Sequence, residues 1–267
     1  MRNACVIIPV HTSSPSEAEL ISFRQCFNVL SNFDIIVLTT TNVNLSAYRK
    51  EVINFNTNLV PNHWLSSIEN YNKMKIDIEF YQIFKKYEFL LTYELDAYVF
   101  EDHLEYWTSQ GFDFIGAPFV ELIDQKLTLI SVGNSGFSLR NIQTSLQCLE
   151  DLQNVRNTAS LVSKYRLCKI VKIIAYFEKY FTNRFFTKIR IISAFLPGIC
   201  IHEDIFWTKY IPRLFANYHV APLNESLSFS FERFPDLCYV SNKFKLPFGC
   251  HAWPKYGIEF WRKYINS

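Results

Sequence analysis

No apolar run in this 267-residue chain reaches the roughly 18 residues that a bilayer-spanning helix needs. An interfacial helix stays open. Glycine is missing from Pro9 to Pro15, the turn that follows the first apolar run. A dinucleotide site with its pyrophosphate cradled on a Gly-rich turn is therefore disfavoured. No CxxC pair occurs among the seven cysteines, and no signal peptide precedes the strand that begins near Ala4. A reducing, cytoplasmic setting with cysteines as small hydrophobes is the expectation. Internal repeats and flexible linkers are also missing, so residues 1–267 read as one domain.

Apolar residues make up 49% of the chain and aromatic ones 17%, with 25 Phe and 15 Tyr, against 19% charged. That composition excludes disorder, and the length suffices to bury roughly three quarters of the unfolded surface. The formal charge of +2 hides an uneven distribution. Between Ser163 and Ala194 stand Lys164, Arg166, Lys169, Lys172, Lys179, Arg184, Lys188 and Arg190 against the single acid Glu178. Ile170, Val171, Ile173, Ile174, Tyr176, Phe177, Tyr180, Phe181, Phe185, Phe186, Ile189 and Ile192 interleave with those bases. Two uses fit: an anionic membrane surface under residues 163–194, or a helical hairpin docked on the body or on a second subunit. No nucleic-acid reading motif accompanies the basic residues.

The opening reads β-α-β, with strands at Ala4 to Val10 and Phe33 to Thr39 and a helix that starts at Ser14-Pro15-Ser16-Glu17, with Pro near its first position, and runs to about Leu30. A parallel pair joined by a right-handed crossover follows. Val52 to Phe55 reads as a third strand, and a helix is expected from Ser66 to Phe84 on an Ile68, Tyr71, Ile76, Phe80, Phe84 stripe. Lys73 and Lys75 on that helix fit a phosphate contact or, more simply, solvated bases. Phe89 to Tyr93 then has the apolar character of a strand buried on both faces. It ends in Glu94-Leu95-Asp96, where alternation puts the two acids on one side and Leu95 inside. Paired carboxylates at a strand mouth suit a divalent cation that holds a phosphate, although solvated acids give the same pattern.

Further along, Asp113 to Ile115 reads as an edge strand. Gly133-Asn134-Ser135-Gly136-Phe137 reads either as a concave polar wall for sugar hydroxyls and phosphate oxygens or as a plain hairpin. Asn141 to Leu152 reads as a helix, and Pro197-Gly198 as a break before His202-Glu203-Asp204-Ile205-Phe206-Trp207. There, Asp204 sits at a helix start anchored by large apolar neighbours, either as a carboxylate held in a fixed place or, with Glu203, as a charge that only stabilises the positive helix terminus. Leu227 to Phe231 reads as a strand. His251, within Pro247-Phe248-Gly249-Cys250-His251-Ala252-Trp253, is a candidate third metal ligand or a packed histidine.

Taken in order, Glu94-Leu95-Asp96, Gly133 to Phe137, His202 to Trp207 and Pro247 to Trp253, with Tyr71-Asn72-Lys73, resemble an incompletely characterised bacterial glycosyltransferase-like family of the GT-A type. The resemblance runs from Val6 to Tyr264 and implies an α/β fold. That fold is a Rossmann-like, mostly parallel central sheet flanked by helices, carrying a basic aromatic helical insertion near 155–197. It implies Mn²⁺ or Mg²⁺ on Asp96, His251 and Glu94, with Asp96 the firmer ligand because Glu94 departs from the D-x-D pattern. It also implies Pro9, Val10, His11, Asn72 and Lys73 around the nucleotide, and Gly133, Asn134, Ser135, Gly136, Phe137 and Trp253 at the sugar and acceptor wall. Acid-base work falls to Asp204 or Glu203. The implied reaction moves a sugar from a nucleoside diphosphate, UDP foremost, to a hydroxyl of a glycan or lipid-linked glycan. Such an enzyme would be cytoplasmic and peripheral on the inner membrane face. A metal-dependent nucleotidyltransferase and a noncatalytic glycan-binding scaffold are the alternative expectations.

Overall fold

The computed structural model describes residues 4–164, 167–176, 183–196 and 202–265, with Lys172 described by its backbone alone. The Pro197-Gly198 break, Arg166, Lys179, Glu178, Phe177, Tyr180 and Phe181 lie outside the described residues. The described strands are β1 (Ala4–Pro9), β2 (Asp34–Thr39), β3 (Asn56–Leu59), β4 (Phe89–Tyr93), β5 (Tyr98–Val99) and β6 (Phe114–Gly116). They continue as β7 (Pro118–Ile123), β8 (Lys126–Val132), β9 (Phe137–Asn141), β10 (Ser230–Phe231) and β11 (Gly249–Cys250).

The central sheet has the order β3-β2-β1-β4-β9-β6. The first four strands run parallel, and β9 is antiparallel to both of its neighbours. Helices flank this mixed, largely parallel sheet, which gives the Rossmann-like, GT-A type α/β architecture expected from the sequence. The alternation along β1 explains why it is apolar throughout: Cys5 and Ile7 enter one core, while Ala4, Val6 and Ile8 enter the other. The crossover helix Glu17–Val29 starts at a capping box, with Ser16 accepting from the Glu19 amide and Glu19 reaching back to the Ser16 amide.

Several elements depart from the sequence expectation. Instead of one helix from Ser66 to Phe84, the chain forms a 3-10 turn at Asn62–Leu65 and two helices, Ile68–Met74 and Ile78–Ile83. Asp77 caps the second of these, and the break frees the Lys75 carbonyl. That oxygen accepts from the Tyr81 hydroxyl and from Trp207 Nε1, both at 3.0 Å. Two bonds from large buried side chains thus replace the lost helical one.

The third strand lies at Asn56–Leu59, not Val52 to Phe55, of which Val52 and Phe55 pack against the core while Ile53 is exposed. Most of Leu227 to Phe231 is helical, as part of Leu223–Phe229, and only Ser230–Phe231 pairs as strand. The β7–β8 hairpin turns through Asp124 and Gln125, both at positive φ (50° and 61°), without the glycine that would have signalled it.

Among the described residues, the basic region forms three helices, Gln153–Lys164, Cys168–Tyr176 and Arg184–Ala194. They share a small core of Ala159, Val171, Ile192 and Leu196. No helix among the described residues is long and apolar enough to cross a membrane.

Candidate functional site

β4 delivers the two acids to the carboxyl edge of the sheet. There the chain turns at once, with the Ala97 amide donating to the Glu94 carbonyl at 2.8 Å. The Glu94 amide donates to the Gly136 carbonyl at 2.8 Å, which ties the acidic turn to the loop before β9. From the other side, the Trp253 amide donates to the Asp96 carbonyl at 3.2 Å. Leu95 points inward and is buried. The turn is therefore gripped by two remote segments, and its carboxylates are displayed together.

His251 follows β11 and completes the cluster. Its Nε2 lies 3.1 Å from Asp96 Oδ1 and 3.4 Å from Glu94 Oε2, and its Nδ1 lies 3.6 Å from Glu232 Oε1. One ligand atom each from Glu94, Asp96 and His251 falls within 4.8 Å of the others. Gly136 makes this approach feasible, because a Cβ there would stand 2.1 Å from His251 Nε2. Burial alone would lower the His251 pKa, but Asp96, Glu232 and Glu94 outweigh it and hold the imidazole well above its ordinary value.

Both ring nitrogens are buried and lie at ion-pair distance from three carboxylates, yet among the described residues neither has a partner in hydrogen-bond geometry. An imidazole nitrogen and two carboxylate oxygens converging without mutual hydrogen bonds fit a first-row divalent cation such as Mn²⁺. Glu232 stands where a carboxylate would orient the metal-bound histidine through its other nitrogen.

Behind the acids lies a buried ion-pair chain. Lys75, fully buried, places Nζ 3.1 Å from Glu94 Oε1 and 3.2 Å from Glu203 Oε1. The same ammonium reaches Ser135 Oγ at 3.2 Å and lies 4.4 Å above the Tyr71 ring. Glu203 closes the chain on Arg140 at 2.6 Å, and Arg140 donates to the Tyr81 hydroxyl at 3.1 Å. Burial would raise the Glu94 pKa, yet Lys75 first and His251 next keep that carboxyl well below its usual range. For Glu203, likewise, Arg140 and Lys75 override burial and lower it. Asp204 behaves oppositely: burial, with the charge of Glu203 beside it, pushes its carboxyl up to about 6.

A cleft of about 370 Å³ opens on the acids, lined by Pro9, His11, Glu19, Leu65 to Ile68, Tyr71 and Glu94 to Asp96. Of the residues singled out in the sequence, Glu94, Asp96, His251, Ser135 and Gly136 come together, with Pro9 and His11 on the adjoining cleft wall. Others are committed elsewhere. Val10 and Phe137 are core residues, and Trp253 is buried with Nε1 donating to Ser22 Oγ at 2.8 Å. Asn72 is buried, and its Oδ1 accepts from the Glu203 amide at 2.8 Å. Lys73 pairs with Glu69 at 2.6 Å on its own helix.

Gly133 packs against the Phe119 ring, and Asn134 is buried at positive φ. Asp204 Oδ1 accepts from the Ile205 amide at 2.6 Å, just before a π-helical turn at Phe206–Tyr210. Lys75 is not solvated, which corrects the simpler expectation for it. Arg140 and Glu232 carried no spacing signal, since their partners lie far away in sequence, and Tyr71 was read only on its helical stripe and in the resemblance, not as a partner of Glu94.

No curated protein matches this chain. Among solved structures, mouse xyloside xylosyltransferase 1 (apo form) is similar at 9% identity and a TM-score of 0.49, over 93% of this chain and 97% of that one. The WbbM bifunctional glycosyltransferase (apo) is similar at 11% identity and 0.46, over 94% and 45%. Core-mannan synthase A from Aspergillus fumigatus, in its Mn/GDP form, is similar at 13% identity and 0.34, over 45% and 43%. The chain thus matches less than half the length of the last two. The family described as a protein of unknown function (DUF5672) matches residues 54–251, a span that runs from just before β3 to His251, and the chain belongs to that family.

Proposed function

We propose that the chain is a metal-dependent glycosyltransferase that moves a sugar from a nucleoside diphosphate, UDP foremost, to a hydroxyl of a glycan or lipid-linked glycan. The observation that carries this reading is the convergence of Glu94, Asp96 and His251 at the carboxyl edge of a parallel strand, beside the cleft walled by Pro9 and His11. Ligands of open α/β sheets bind at that edge. A divalent cation held there would neutralise charge developing on the departing diphosphate.

This chain's own residues divide the remaining work. Asp96, His251 and Glu94 would hold the cation, with Glu94 Oε1 already engaged by Lys75. Pro9 and His11 border the nucleotide along the cleft, and Ser135 and Gly136 face the sugar. Asp204 lies outside the lining of the cleft, with Oδ1 accepting from the Ile205 amide at 2.6 Å, so its carboxyl, raised to about 6 by burial, has no proton-transfer step in this scheme. Glu203, sandwiched between Arg140 and Lys75, serves to hold that loop in place.

The test is product analysis. Incubation with UDP-sugars and Mn²⁺ is expected to release UDP, which chelation abolishes. Release of pyrophosphate from a nucleoside triphosphate would support a nucleotidyltransferase instead. Mn²⁺-dependent UDP binding without turnover across acceptors would support a glycan-binding scaffold.

A further inference from the structure

The three basic helices are not equally committed to the body. Gln153–Lys164 is tied down by Arg156, 3.2 Å from Asp77, and Arg184–Ala194 by Arg190, which donates to the Tyr210 hydroxyl at 3.2 Å. Ile191 and Ala194 also enter the large core on one face of the sheet. The middle helix, Cys168–Tyr176, turns Val171 and Ala175, one turn apart, inward. Its other face shows Ile170 and Ile173, 54% and 61% exposed, next to Leu167 at 44%. Phe185 on the third helix is 61% exposed as well. Large apolar groups left in water at this density mark a surface that is covered in use.

We propose that this face docks on an anionic lipid bilayer, with the Cys168–Tyr176 helix lying along the headgroup boundary. Charge decides between occupants. The described residues of the three helices include no Asp or Glu, whereas Lys164, Lys169, Arg184 and Lys188 are exposed. Apolar groups entering the acyl boundary while bases meet anionic headgroups is the pattern of an interfacial helix. A second copy of the chain would bring the same positive charge against this face, which opposes self-association. Nine residues lie along a membrane surface and are far too few to cross it. The inference is independent of the transfer chemistry proposed above.

The test is co-sedimentation of the full chain with vesicles of phosphatidylcholine alone and of phosphatidylcholine mixed with phosphatidylglycerol. The chain is expected to pellet with the mixed vesicles only, and less so as salt is raised. Ile170→Asp combined with Ile173→Asp is expected to weaken partition about tenfold or more without changing the melting temperature. Ile53→Asp, at a site 77% exposed on the body, is expected to partition as wild type. No enrichment on the anionic vesicles, or a double variant that pellets like wild type, would overturn the proposal. So would a concentration-dependent dimer that the double variant abolishes, because a second copy would then be the occupant.

Discussion

Glu94 uses its two carboxylate oxygens for different tasks. Oε1 accepts from the Tyr71 hydroxyl at 2.9 Å and from Lys75 at 3.1 Å, which leaves Oε2 turned toward His251. A shorter aspartate at this position would reach one set of partners or the other. Lys75 is thus the hinge between the candidate metal site and the core, and it is flanked by two acids, Glu203 buried and Glu94 half-buried. Lys75→Met strands part of their charge, so a loss of about 3 kcal/mol is expected in denaturant unfolding. A change below ~1 kcal/mol would show that Arg140 alone satisfies Glu203.

Asp204 gives a pH-dependent expectation at the same scale. A carboxyl raised in the folded state to about 6 binds a proton more tightly than in the unfolded chain. Folding is therefore penalised as pH rises through that window, and the penalty vanishes below about pH 4. Asp204→Asn is expected to stabilise the protein by on the order of 2 kcal/mol at pH 7 and by nothing at acid pH, read from melts across pH. Equal melting of variant and wild type at neutral pH would mean that the carboxylate is well solvated.

Elements matter because the site is assembled from segments that meet nowhere in sequence. The β4 turn supplies the acids, the loop before β9 supplies Gly136, and β11 brings in His251, whose amide donates to the Phe231 carbonyl at 2.9 Å. Gly136→Ala places a Cβ in the imidazole and should displace His251 while leaving the strands paired. Mn²⁺ affinity, measured by titration calorimetry, is expected to fall by about 100-fold or more, with an unchanged circular dichroism spectrum. Retained affinity would mean that the ring rotates aside without cost.

The sequence made the acidic strand legible to the residue, because Phe89–Tyr93 is apolar on both faces and then stops at paired acids. It did not show Glu232, Arg140 or the buried state of Lys75. Their meaning comes from partners more than sixty residues away for Arg140, and local periodicity carries no such information. The break at Lys75 was hidden for the same reason: Trp207 and Tyr81, which satisfy its carbonyl, are tertiary partners. In Leu227 to Phe231, alternating apolar residues imitated a strand, although Leu227 and Phe229 are buried from a helix.

At the scale of the molecule, we propose that residues 1–267 behave as one domain. The core on one face of the sheet already joins Ile7 and Leu90 to Leu149, Ile191 and Trp207, so the helices of the basic region share residues with it. One cooperative transition is expected, with fluorescence and circular dichroism coincident. An earlier, separate melting phase would mark the region near 155–197 as its own unit. The parallel sheet was the most legible feature of all, since β-α-β order and doubly buried strands leave few topologies.

The central claim is that distant segments build a cation site that receives a nucleoside diphosphate. Calorimetric titration of UDP into wild type and Asp96→Asn, each with and without Mn²⁺, tests it most directly. The prediction is binding by wild type only when Mn²⁺ is present, and none by Asp96→Asn in either condition. UDP binding that ignores the metal, or that survives intact in Asp96→Asn, would contradict it.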